Sequence, residues 1–182
     1  MTGLETATLL LQGLLPLVLI AFVARPHTSG LSRVLDVSLA AAYLLTIAVA
    51  GLWLALPRGL VFTYAALLAV AALVRARGSD SSRRRPPTGL ARASAWARGV
   101  ALAALVGALG YALLGRLPPA AEALDIAFPL GYGTYLVAAG GSNALVNPHL
   151  KTASGERYRP YRGQTLAVDL VAVGGWGSRV EE

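Results

Sequence analysis

Four apolar runs set the pattern of this chain. Thr6 to Ala24, Val37 to Leu56, Gly59 to Val74 and Gly99 to Gly115 each pass without an Asp, Glu, Lys, Arg or His. A helix needs roughly 17 to 25 such residues to cross a bilayer, so the first, second and fourth runs predict transmembrane helices, and the third, marginal by length, gains support from its position. Pro57-Arg58-Gly59 supplies a tight turn between the second and third runs, which predicts a helical hairpin there. Asp36 stands at the start of the second run, where a negative charge can cap the helix N-terminus and suit its dipole. Trp96, just ahead of the fourth run, is an interfacial anchor for the headgroup region.

Beyond Leu117 the pattern changes. Gly133 to Ala138 and Thr165 to Val173 are rich in β-branched and aromatic residues and are bounded by Gly or Asn/Pro clusters, so both predict short strands. Alternation along the second puts Asp169 on a face with Ala167 and Val171, away from Leu166, Val168 and Leu170. A carboxylate on so apolar a strand has a partner or a metal, or lies on a wet face. Leu150 to Gly163 reads as a polar excursion between the strands, and Gly140-Gly141 as a turn. The predicted fold class is an α-helical membrane domain of four transmembrane helices, residues 1–117, followed by the start of a small antiparallel β domain, residues 118–182.

Composition agrees with the membrane reading. The chain is 55% hydrophobic and 14% charged, with a mean hydropathy of +0.59, whereas soluble domains carry about 25% charged residues. The net charge of +7 does not point to nucleic acid: all but Lys151 of the 16 basic residues are Arg, and about half of them crowd the loop at 75–98. There Arg75, Arg77, Arg83, Arg84, Arg85, Arg92 and Arg98 face a single acid, Asp80, which by the positive-inside rule places the loop in the cytoplasm. Arg25 and Arg33 then fall on the same side by alternation, while the N-terminus, the Arg58 turn and the tail from about Arg116 fall outside. The expected location is the cytoplasmic (inner) membrane, multi-pass, with membrane lipid as a partner and an extracytoplasmic tail.

Other signals narrow the chemistry. The first run lacks the basic opening and small-residue cleavage site of a signal peptide, so it reads as a retained helix. Polar groups in the spans are mild, such as Thr46, Tyr43 and Tyr111, which favours anchoring over transport. No Cys is present, which excludes disulfides, thiolate nucleophiles and Cys-based metal sites. Candidate chemistry is confined to the tail, at His149 and Asp169. Taken alone, a His after the Asn147-Pro148 turn and a lone Asp are ordinary surface residues.

Their setting adds to that. Phe128-Pro129-Leu130, Gly133-Thr134-Tyr135, Gly140-Gly141-Ser142-Asn143, Asn147-Pro148-His149, Gln164-Thr165-Leu166-Ala167-Val168-Asp169-Leu170-Val171 and Gly177-Ser178-Arg179 follow in order. Together they resemble the opening of an M23-type (LytM-like, lysostaphin-like) zinc metallopeptidase domain, most closely its divergent membrane-linked branch. The resemblance covers roughly the last third of the chain. It implies His149 and Asp169 as zinc ligands, Asn147 and Gln164 as supporting positions, and peptidoglycan cross-links or cell-wall peptide as substrate. The family's remaining ligand and its catalytic His come from a downstream His-x-His, and no His follows His149 here. No catalytic residue is therefore assigned, and two of three zinc ligands are accounted for. The expectation is a stretch of a longer, membrane-anchored zinc endopeptidase, inactive as it stands. The alternative is a non-enzymatic membrane protein whose β tail binds a partner or the cell wall.

Overall fold

A computed structural model describes residues 3–26, 29–53, 55–77, 89–117 and 130–180. His27, Asp80, Arg83, Arg84, Arg85, Phe128 and Pro129 lie outside the described residues. The first membrane helix runs continuously through α1 (Gly3–Thr8), a π-helical stretch (Leu9–Leu14) and α2 (Leu15–Ala24). Pro16 has no N–H to offer the carbonyl one turn back, and the helix widens into π geometry just ahead of it. Then follow α3 (Gly30–Ala50), α4 (Leu60–Arg77) and α5 (Gly89–Arg116). All four helices are long and apolar enough to cross a membrane.

The second helix corrects the sequence reading at both ends. Its N-cap is Ser29, whose hydroxyl accepts from Ser32 N at 3.1 Å, and not Asp36. With that donor satisfied, the helix starts earlier and carries Asp36 inside it, where the carboxylate meets Arg98 Nε of α5 at 3.3 Å. At the other end the helix stops at Ala50 instead of reaching Leu56. Trp53 folds back under the last turn, 2% exposed, and its indole Nε1 donates to Ile47 O at 3.0 Å. Gln12, the strongest hydrogen-bonding side chain in the first span, holds the same segment. With its amide turned to suit, it donates to Leu52 O at 3.1 Å and accepts from Leu52 N at 2.9 Å.

α3 packs on α5, and α2 packs on α3 and α4. The buried cluster consists of Ile20, Val23, Ala40, Leu44, Ile47, Trp53, Tyr64 and Leu68, and Leu136 of the tail joins it. Tyr64 hides its ring here and donates to Gly13 O at 3.2 Å. Large apolar side chains on the outer faces, such as Phe62, Val100 and Leu114, remain exposed. That surface suits a lipid environment better than water. Trp96 is among them at 77% exposure, and it lies inside α5, not ahead of it.

Among its described residues the tail contains one antiparallel pair of strands, β1 (Tyr135–Ala139) and β2 (Asp169–Ala172). Tyr135 faces Ala172, Leu136 faces Val171 and Val137 faces Leu170, and an irregularity before Ala139 brings that residue opposite Asp169. The second strand is shorter than the sequence predicts. Thr165 and Leu166 instead close a turn, with Ala167 N donating to Gln164 O at 2.9 Å, so Ala167 and Val168 precede the ladder. The polar excursion forms two 3₁₀ segments, Pro148–Ala153 and Glu156–Gln164.

The tail sits against one end of the bundle. Ser142 N donates to Gly115 O at 2.9 Å, Asn143 Nδ2 donates to Tyr111 O, and Gly59 N donates to Trp176 O at 2.8 Å. Arg75, Arg77, Arg92 and Arg98 lie towards the opposite helix ends, at the C-terminus of α4 and the N-terminal part of α5.

Candidate functional site

His149 and Asp169 are brought into contact across twenty residues of chain. Nε2 of His149 lies 2.9 Å from Oδ2 of Asp169. Each is positioned by a different element, His149 by the first 3₁₀ segment and Asp169 by the first residue of β2. Their side chains keep 26% and 50% of their surface open, so a ligand can reach the pair from solvent.

Asn147 makes this placement. Its side chain is wholly buried. Oδ1 accepts from His149 N at 2.9 Å and so caps the 3₁₀ segment, while Nδ2 donates to Gly141 O at 2.9 Å and Thr165 O at 3.1 Å. One amide thus fastens the glycine turn after β1, the His149 segment and the approach to β2. Both N–H donors are used, which is the full donor capacity of the group.

Thr152 and Thr165 add a second fastening that sequence reasoning missed. Their hydroxyls lie 2.9 Å apart, with His149 O 2.8 Å from Thr152 Oγ1 and Arg162 O 2.8 Å from Thr165 Oγ1. Each hydroxyl has one proton, so one of them bonds its carbonyl and the other bonds its fellow hydroxyl. Gln164 is exposed and contributes to this corner through its backbone carbonyl. Glu156, with Arg159 at 3.1 Å and Arg162 at 3.9 Å, forms a separate surface cluster.

The pair fits two corners of a zinc site. Tetrahedral zinc at about 2.0–2.1 Å from nitrogen and 2.0–2.2 Å from oxygen holds two ligand atoms about 3.3 Å apart, so the observed 2.9 Å would open by roughly 0.4 Å. An exposed His and an exposed Asp can make that adjustment by side-chain rotation. Among the described residues, no group of three or more His, Cys, Asp or Glu is gathered at one place. The donors present therefore match two protein ligands of the three that a catalytic zinc ordinarily takes.

A helical bundle of membrane type, carrying on one end a small β-containing cap with an exposed His–Asp pair, is the class that the fold and this site define. Comparison with protein-family models, curated proteins and solved structures found no match to the chain.

Proposed function

We propose that this is a membrane-anchored, M23-like zinc metallopeptidase chain whose tail lies outside the cytoplasm and supplies His149 and Asp169 to the metal. The observation that carries the reading is the 2.9 Å His149–Asp169 contact, because the resemblance named these two residues and they stand twenty residues apart in the chain. A bound zinc would polarise a scissile carbonyl and lower the pKa of its water. Asn147 would orient the His149 segment, and the four helices would hold the site at the membrane surface, near peptidoglycan cross-links.

Zinc content of the purified full chain, measured by elemental analysis after equilibration with micromolar zinc, tests the metal. Two ligands should give weak, substoichiometric retention. Asp169→Ala and His149→Ala should each lower it by about tenfold or more, while Gln164→Ala should cost far less. Undiminished zinc in Asp169→Ala would end the peptidase reading and favour a tail that binds a partner or the wall without catalysis.

The arrangement across the membrane has its own test, motivated by the Arg-rich loop. A reporter active only outside the cytoplasm should be active when fused after Val173 and silent when inserted near Ser81. The reverse pattern would place the tail inside and remove the cell wall as substrate.

A further inference from the structure

Arg58 and Arg116 converge on one place. Arg58 opens the turn into α4 and Arg116 closes α5, yet both guanidinium groups reach the last turn of α3. Arg58 Nη2 donates to Ala48 O at 3.2 Å and Arg116 Nη2 donates to Val49 O at 3.0 Å. Between them, under β1, lies a cavity of about 260 Å³ walled also by Trp53 and Tyr135, with no Asp or Glu among its described lining.

Capping α3 does not account for two arginines. A helix C-terminus carries roughly half a negative charge, against two full positive charges here. Each guanidinium has five N–H donors, and among the described residues each makes one hydrogen bond. Positive charge and donors are left over, and both side chains are exposed enough to be reached.

The cavity adjoins apolar space. Ala48 and Arg58 also line a groove of about 960 Å³ along α3 and α4, whose walls include Leu45, Phe62, Ala65 and Trp176. Phe62 is 76% exposed and Trp176 71%, so the groove opens on the outer face of helices long and apolar enough to cross a membrane. A charged chamber beside an apolar groove, with Ala48 and Arg58 lining both, matches an amphiphile, with its anion at the bundle end and its chain along the helices.

We propose that this end of the bundle binds an anionic phospholipid, with its phosphate between Arg58 and Arg116 and one acyl chain in the α3–α4 groove. Guanidinium groups suit phosphate because their planar donor fork matches its oxygens. The acyl chain distinguishes this occupant from a free anion. The site is independent of His149 and Asp169 and stands or falls separately from the metal.

Native mass spectrometry of the full chain in detergent, titrated with phosphatidylglycerol or phosphatidylcholine, provides the test. Phosphatidylglycerol should bind about tenfold or more tighter, and the double variant Arg58→Gln/Arg116→Gln should lose that margin. Arg92→Gln, at the opposite end of α5, should keep it. Ala65→Trp fills the groove, leaves both guanidinium groups in place and should also weaken phosphatidylglycerol binding about tenfold. Equal retention of the two lipids, or undiminished phosphatidylglycerol binding in the double variant or in Ala65→Trp, overturns the proposal. So does a loss in Arg92→Gln as large as in the double variant, or inorganic phosphate displacing the lipid equally well from the parent and Ala65→Trp. Should the double variant fail to fold, Ala65→Trp decides alone.

Discussion

Asn147→Ala is expected to unfold the tail while leaving the helices intact. The substitution removes three hydrogen bonds from a side chain with no exposed surface. It leaves His149 N, Gly141 O and Thr165 O, all on half-buried residues, without their amide partner. Unsatisfied buried groups cost about 1–3 kcal/mol each, so a loss of about 3 to 5 kcal/mol is expected. A two-stranded sheet of this size has little reserve to absorb that. Hydrogen exchange on the full chain in micelles should show fast exchange across β1 and β2, with α3 and α5 still protected. Asn147→Asp separates the roles of the amide: it keeps the acceptor for His149 N but turns both donors into a carboxylate facing two carbonyls. It should be at least as damaging as Ala, and native-like protection in Asn147→Asp would refute the assignment.

Gly141→Ala is expected to lift the tail off the bundle without dissolving its strands. Gly141 has φ +127°, a conformation that side-chain-bearing residues rarely adopt. A Cβ there would also come within 2.5 Å of Gly115 O and 2.7 Å of Val146 Cγ2. Gly115 O is backbone at the end of α5 and already accepts from Ser142 N, so it cannot turn aside as a flexible side chain would. Strain and overlap together should cost about 2 to 5 kcal/mol. The Ser142 amide should lose its protection, whereas amides of the β1–β2 ladder keep theirs. Joint loss at both places would mean that docking and folding of the tail are one event, and unchanged protection at Ser142 would remove Gly141 from the seam.

The docking seam explains why glycines recur where they do. A Cβ on Gly59 would fall 2.8 Å from Trp176 O, and one on Gly115 would run into the Asn143 side chain. From the sequence, Gly59 is legible as a turn and Gly115 as the end of an apolar run, but neither shows what comes to rest on it. Trp176 itself holds φ +62°, which its carbonyl's bond to Gly59 N helps to maintain.

What the sequence alone determined is what depends on composition and local periodicity. Charge-free runs of spanning length produce four helices because unpaired backbone and ionic groups cannot be left in an apolar setting. The change of character after Leu117, the two strand segments and the Gly140–Gly141 turn rest on equally local preferences. Helix ends were less legible: Asp36 looked like a cap because nothing in the sequence announces that Arg98, on another helix, will take its charge. Trp53 looked like part of a span because the apolar run gives no sign that α3 stops at Ala50 and that the indole turns back onto Ile47 O. His149 and Asp169 could be nominated from ordered motifs, but their contact depends on Asn147 tying three segments together, a relation between residues distant in the chain. The pairing of Arg58 with Arg116 is of the same kind, since one precedes α4 and the other closes α5, and they meet only because the start of α4 and the end of α5 both lie beside the last turn of α3. Short-range propensity is written residue by residue, whereas which buried donor finds which acceptor is settled only when the elements pack.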